Sequence, residues 1–299
     1  MPSSGDAVSV IIPVFNRCGE ILRAIASALG QTRPPGEIIV VDDASTDGTA
    51  EAVSALQKPR IRVLRQPRNQ GAAAARNAGI EAAQGEWIAF LDSDDEWDVR
   101  KLELQMAALA GAGADMPASI TGYLIRDYRY SETARFHPTE HDASLDALVW
   151  GCPLSIGSTL LARRAVFTEI GLFDPDLPRL EDWEWLMHYL PAHRLNVVPE
   201  ALAIVHKGSD PSLAQVETAI ARIRARHRAE WYRRSWLAGR KFDSTLLVEE
   251  AAAAYYGKDK RRAAVLSLQA LIAYPFRGGD FFALLARRAT RARSGNRHR

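Results

Sequence analysis

Through its first hundred residues the chain repeats one arrangement: a short apolar, β-branched run, a polar turn, and an Ala-rich segment with apolar positions at helical spacing. Val8–Val14, Glu37–Val41, Ile61–Leu64 and Trp87–Leu91 read as strands, and Glu20–Leu29, Thr49–Leu56, Ala72–Gln84 and Arg100–Ala110 as helices. Strands that are apolar throughout and alternate with helices predict an α/β fold, a mostly parallel sheet covered on both faces. Ligands of such sheets bind beyond the carboxyl ends of the strands. Three of those ends carry Pro13-Val14-Phe15-Asn16, Asp42-Asp43-Ala44-Ser45-Thr46-Asp47-Gly48 and Asp92-Ser93-Asp94-Asp95, so one polar, acidic cleft is expected along a single sheet edge.

From about residue 115 the pattern loosens. Strands are predicted at Ser119–Asp127, Tyr128–His137, Thr159–Ala162 and Asn196–His206, with short helices at Ala143–Val149 and Asp182–Leu190, as in a smaller antiparallel portion closing over the same cleft. From Leu213 the chain is Ala, Leu and Arg at helical spacing. Ser244–Tyr256 and Arg261–Ala273 form a predicted helical hairpin that Pro275 stops. Three parts are expected: residues 1–115, 116–212 and a helical extension, 213–299.

Charge sharpens this division. The 299 residues carry 38 Lys and Arg against 36 Asp and Glu, a net +2, yet residues 1–220 hold 19 basic and 30 acidic side chains and residues 221–299 hold 19 and 6. Composition excludes disorder, collagen and a disulfide scaffold. Two cysteines, Cys18 and Cys152, without CxxC or Cys/His spacing give little support for a zinc site. No apolar run approaches the ~20 residues of a membrane span, and the start does not read as a signal peptide, which predicts a cytoplasmic protein. Phe281, Phe282, Leu284 and Leu285 followed by an Arg-rich end suit peripheral contact with the anionic inner face of the cell membrane. A solvated helix face and tail is the plainer alternative. Without interleaved aromatics or a recognition motif, no nucleic-acid partner is expected.

Asp92 and Asp94, two apart on an extended segment, direct both carboxylates to one side, where hard oxygen ligands suit Mg²⁺ or Mn²⁺. A helix cap is the alternative and suits Asp95. Phe15, at a strand end, offers a face for stacking on a base, and Asp43 an acceptor for the imide N–H of uracil or thymine. A core aromatic and a helix cap are the corresponding alternatives. Trp183 and Trp185 read equally as a sugar-stacking face or as core. The absence of GxGxxG after the first strand and of GxxxxGK[ST] gives no support for a dinucleotide oxidoreductase or an NTPase.

Val8–Asn16, Ile39–Thr49, Asn69–Gly79 and Trp87–Asp95, in this order and spacing, resemble the family 2 glycosyltransferases with the GT-A fold, the likeness running over about residues 7–206. The resemblance implies a Rossmann-like sheet and a metal-dependent, inverting transfer of sugar from a nucleoside-diphosphate donor to an acceptor hydroxyl in surface polysaccharide or other glycan assembly, the acceptor being a glycan or lipid-linked. By the family pattern Pro13, Phe15, Asp43 and Arg76 line the nucleotide pocket, Arg76 facing the diphosphate or the metal carboxylates. Asp94 binds the metal directly and Asp92 meets the sugar or a metal-bound water. Asp182, in Glu181-Asp182-Trp183, matches the base that deprotonates the acceptor, a task needing only one carboxylate because the diphosphate leaves as an anion. Asp182 also reads as the N-cap of a helix starting at Trp183. His206 occupies the place of a histidine near the metal, although Ile204 stands where the family often has Arg. The rival readings are a catalytically silent nucleotide-sugar binder or scaffold and, less favoured, a nucleotidyltransferase.

Overall fold

The computed structural model describes residues 7–127, 132–207 and 212–277. The first part alternates as the sequence predicts: β1 (Val8–Val14), α1 (Ile21–Leu29), β2 (Glu37–Asp42), α2 (Thr49–Ser54), β3 (Ile61–Arg65), α3 (Ala72–Ala82), β4 (Trp87–Phe90), β5 (Glu96–Trp97) and α4 (Lys101–Ala110). There follow β6 (Ala118–Asp127), β7 (Glu132–Phe136), α5 (Leu145–Leu148), α6 (Ile156–Thr159), β8 (Leu161–Arg163), α7 (Arg164–Glu169), α8 (Glu181–Tyr189) and β9 (Leu195–Lys207). Helices α9 (Leu213–Arg234), α10 (Trp236–Tyr256) and α11 (Lys260–Ala273) complete the described chain.

The strands lie in the order β3-β2-β1-β4-β8-β6-β9-β5, with β7 beside β6. From β3 to β4 the ladders are parallel, and β4–β8, β6–β8 and β5–β9 are antiparallel, the division the sequence anticipates. All seven residues of β1 are buried, as a central strand covered on both faces requires. Helix α1 turns Ile21, Ala24, Ile25 and Ala28 into the core at spacings of three and four, joining Val10, Ile12 and Ile38. Gly79 lets α3 lie close on β1, since a Cβ there would come within 2.4 Å of Ile11 Cγ2. This approach brings the start of α3 to the carboxyl ends of β1 and β2.

Several expectations change. The Thr159–Ala162 strand gives way to one helical turn, α6, and a strand starting at Leu161, because Ser155 in the left-handed region (φ 50°) starts a turn that runs through Thr159. Helix α8 starts at Glu181, two residues before Trp183, with Leu180 (φ 63°) as its N-cap; Asp182 therefore lies in the first turn and is not the cap. In the predicted strand Tyr128–His137, only Glu132–Phe136 is described as strand, residues 128–131 lying outside the described residues, as does the basic segment after residue 277.

The chain divides into two compact units. One comprises Met1–Arg126, Thr133–Leu148 and Cys152–Lys207; the other comprises Asp127–Glu132, Val149–Gly151 and Gly208–Arg299. In the second, α10 packs between α9 and α11. Trp231 stacks on Phe242 at 5.5 Å, and Gly239 makes room for the Tyr232 ring. Arg228 forks onto Asp243 at 2.9 and 3.0 Å, and Arg224 pairs with Glu250 at 3.7 Å, so part of the basic excess is matched inside this unit. No described helix is long and apolar enough to cross a membrane.

Candidate active site

A cleft of about 550 Å³ opens in the first unit at the carboxyl ends of β1, β2 and β4. Pro13, Phe15, Arg17, Asp43, Arg76, Asp92, Asp94, Gly157, Arg179, Glu181 and Asp182 are among its lining residues. Seven of the eight site residues anticipated from the sequence meet here, and His206 does not line it.

Backbone ties fix the loops that carry these side chains. Asn16 N–H donates to Ser45 Oγ at 2.9 Å, and Asn16 Oδ1 accepts from Thr46 N–H at 2.8 Å. Asp47 accepts from Cys18 N–H at 3.0 Å, so the turns after β1 and β2 hold each other. Phe15 is thereby left 44% exposed at the cleft, which removes the core reading of this aromatic. Asp43 is buried and accepts from the N–H groups of Gln70 (2.8 Å) and Gly71 (2.7 Å), one on each carboxylate oxygen. Each oxygen has a second lone pair for a further donor. Asp42 points elsewhere, to Ser45 N–H at 3.0 Å and Arg65 at 3.4 Å.

Arg76 spans the floor. Its Nη1 donates to Glu181 Oε1 at 2.5 Å and its Nη2 to Asp92 Oδ1 at 2.6 Å, with the Phe173 ring 5.8 Å away. Burial alone would lower the pKa of this guanidinium; the charges of Asp92 and Glu181 outweigh it and hold the group above its ordinary value. Gly157, placed by the α6 turn, completes the arrangement, because a Cβ there would meet Asp92 Oδ2 at 2.4 Å and Arg76 Nη2 at 2.9 Å.

The acidic loop after β4 sorts its three carboxyl groups by partner. Asp95 is fully engaged: Oδ2 accepts from Ser158 Oγ at 2.5 Å and Oδ1 from His206 N–H at 2.9 Å. Burial and then the charge of Asp92 raise its pKa well above the carboxylate range. Asp94 lines the cleft, 3.5 Å from Arg17 Nη2; burial and then the Asp92 charge push its pKa up, and Arg17 partly offsets them. The His206 Nε2 lies 2.9 Å from Glu96 Oε1, behind this loop.

Asp182 Oδ1 accepts from Trp183 N–H at 2.7 Å. Burial, then the neighbouring Glu181 charge, push its carboxyl up to about 6, against the Trp183 N–H and Arg76, which lower it. A carboxyl poised near neutrality at a cleft is suited to accept a proton. Trp183 and Trp185 are core: their Nε1 atoms donate to Leu148 and Gly171 carbonyls, and Trp185 stacks on Phe167 and Tyr189. They therefore offer no sugar-stacking face. No local signal marks Arg17 and Arg179 for the cleft, or Glu181 as the partner of Arg76 across 105 positions.

Residues 9–171 match the family model described as glycosyl transferase family 2. Over 151 residues the chain is 39% identical to the putative teichuronic acid biosynthesis glycosyltransferase TuaG of Bacillus subtilis, covering 48% of this chain and 59% of that protein. Over 102 residues it is 42% identical to the Escherichia coli UDP-Glc:alpha-D-GlcNAc-diphosphoundecaprenol beta-1,3-glucosyltransferase WfgD, covering 34% of this chain and 40% of that one. The chain thus spans less than two thirds of the length of either relative. Among solved structures, S. aureus TarS 1-349 in complex with UDP-GlcNAc superimposes with a TM-score of 0.59 at 17% identity, over 91% of this chain and 92% of that one, a likeness of fold. The fold is the GT-A arrangement anticipated from the four motifs, and with the family model matched over more than half its length the chain belongs to glycosyl transferase family 2.

Proposed function

We propose that this chain is a divalent-metal-dependent, inverting glycosyltransferase that moves a sugar from a nucleoside-diphosphate donor, UDP or dTDP, to an acceptor hydroxyl. The observation that carries this reading is the meeting of Asp92, Asp94, Arg76 and Asp182 at one cleft beside Phe15 and Asp43. Phe15 stacks on the base and Asp43 accepts its imide N–H, while Pro13 shapes the pocket wall. Asp182 takes the acceptor's proton on Oδ2, which has no hydrogen-bond partner among the described residues, Oδ1 being held by Trp183.

The carboxylates fit a hard cation. Asp92, Asp94 and Asp95 crowd one turn, and burial and then the Asp92 charge disfavour ionisation of Asp94, with Arg17 at 3.5 Å the first of the groups that offset them. Mg²⁺ or Mn²⁺ suits that donor set. Asp94 would hold the ion, and His206 would join it only with its Nε2 released from Glu96. When bound, the ion would neutralise the departing diphosphate. Asp92, anchored by Arg76, keeps Oδ2 for the sugar or a metal-bound water.

The UDP-glucose donor and diphosphoundecaprenol-linked acceptor in WfgD's name support a UDP-sugar and a lipid-linked acceptor here, in polysaccharide assembly. A cytoplasmic enzyme touching the membrane's inner face through its basic carboxyl-terminal part, without a nucleic-acid partner, suits such an acceptor. A panel of UDP-sugars with Mn²⁺ tests the activity through release of nucleoside diphosphate. Asp182→Asn is expected to abolish transfer and leave Mn²⁺-dependent UDP binding intact. Normal transfer by that variant removes Asp182 as base, and no release from any donor favours the silent binder.

A further inference from the structure

The outer face of α11 is apolar and open. Val265, Leu268 and Ile272 are 55%, 60% and 63% exposed, and spacings of three and four set them along one side; Phe276, in the short turn Pro275–Arg277 past the helix end, is 84% exposed. The opposite side holds Ala263 and Ala270 buried, with Ser244 Oγ donating to the Ala270 carbonyl at 2.8 Å. Among the described residues, the apolar side is therefore surplus to the packing of its own unit.

Charge identifies its occupant. Residues 260–277 contain no Asp or Glu; at the start of the helix Lys260 and Arg261 are exposed beside the capping Asp259, and Arg262 pairs with Glu217. At its other end Arg240 donates to the carbonyls of Ile272 and Ala273, both at 2.5 Å, and lies 5.3 Å from the exposed Trp236 ring. Lys241 lies over the rings of Trp150 and Tyr274 at 5.1 and 5.7 Å, and Tyr274 meets Phe276 at 5.8 Å. An apolar stripe bounded at both ends by cations, with aromatic rings among the cations at one end, has the anatomy of a helix lying in a lipid–water interface. A second copy on the same stripe would set cations against their own kind in a two-fold contact. An anionic lipid surface neutralises them.

We propose that α11 seats this chain flat on an anionic membrane surface, with Val265, Leu268, Ile272 and Phe276 in the acyl boundary and the flanking Lys and Arg at the headgroups. This deepens the reading of a membrane-linked acceptor by naming the surface that makes contact, and it does not depend on the residues after 277. Co-sedimentation of the full chain with phosphatidylcholine vesicles, with and without phosphatidylglycerol, tests it. Binding is expected only with phosphatidylglycerol, to weaken with salt, and to fall on the order of tenfold for Leu268→Glu and again for Ile272→Glu. Both side chains are exposed, and circular dichroism checks that the variants stay folded. Unchanged binding by the double variant that is lost on deleting residues 278–299 overturns the α11 assignment and leaves the membrane reading standing. No binding by any form overturns both, and transfer to a soluble acceptor then tests the enzyme reading separately. Dimerisation in sedimentation velocity that Leu268→Glu abolishes, without vesicle binding, assigns the stripe to a second copy and overturns the proposal.

Discussion

Replacing Arg76 by methionine removes the cation that joins the acidic loop to α8 while keeping most of the side-chain volume. The guanidinium side chain is 6% exposed, that of Glu181 14%, and that of Asp92 36%. Breaking a buried ion pair by removing one partner costs about 3–5 kcal/mol, whereas an exposed pair contributes below about 1. Glu181 belongs near the lower end of the first range, and Asp92, open to the cleft, in the second. The expected loss is therefore about 3–4 kcal/mol, or roughly 10 °C in Tm for a unit of this size. The loss should also depend on pH. Without Arg76, whose charge lowers the Asp182 pKa, the folded-state value of Asp182 moves up, so the variant's folded state binds a proton that the unfolded state releases. Relative to wild type the penalty is complete above that raised value and fades as pH falls toward the wild-type Asp182 value of about 6. Urea denaturation at about pH 8 and about pH 5 reads this directly, the gap from wild type being the larger at the higher pH. Arg76→Lys should recover part of the charge effect without the two-pronged contact. A Met variant within about 1 kcal/mol of wild type at about pH 8, or a loss equal at both pH values, would refute the role assigned to Arg76.

Transfer should rise with pH through about 6 and then level, because Asp182 must be ionised to act and its pKa stands at about 6; a pH profile of kcat/KM checks it, and a limb near ~4 would place the base elsewhere. Gly157→Ala puts a Cβ 2.4 Å from Asp92 Oδ2, so Mn²⁺-dependent UDP-sugar binding should weaken by about tenfold or more in calorimetry while the fold persists. Lys101 is fully buried, with Gln105 Oε1 at 2.8 Å and the Trp97 ring at 4.2 Å. Burial lowers its pKa well below the ordinary value, a cost present below that folded pKa and gone above the unfolded one, so Lys101→Met should match or exceed wild-type stability in urea at neutral pH.

The alternating half of the fold was legible because its signals are local and long enough to be periodic. The strands from β1 to β4 and the helices from α1 to α4 fall within two residues of expectation at either end. The two-residue β5 and the single turn α6 fall below any periodicity, and α6 is the element that aims Gly157 at Asp92. In the helical extension α10 begins at Trp236, eight positions before the predicted Ser244: Ser235 caps it by accepting from Ala238 N–H, and the small Gly239 is kept inside by the Tyr232 ring. The cleft was legible as a set of strand ends, but the partners were not. Nothing local pairs Arg76 with Glu181, and the same Asp-Ser-Asp-Asp run supplies two carboxylates, Asp92 and Asp94, to the cleft wall and one, Asp95, to the interior according to which side the turn presents.

Backbone strain explains why the rest stayed hidden. Asn16, Ala44, Ser155 and Leu180 all adopt left-handed φ angles between 50° and 64°, and Ser155 and Leu180 line the cleft while Asn16 and Ala44 follow Phe15 and Asp43 directly. Such a conformation costs a non-glycine residue on the order of 1 kcal/mol or more, and no sequence rule asks for it at Leu or Ala. Each is held by bonds that its neighbours make. Asn16 bridges the two turns through Ser45 and Thr46, and Leu180 gives its carbonyl to Glu184 N–H at 3.0 Å to start α8. The strained residues turn an aromatic face and a carboxyl into the same 550 Å³ of space, so the strain sits where aim decides chemistry.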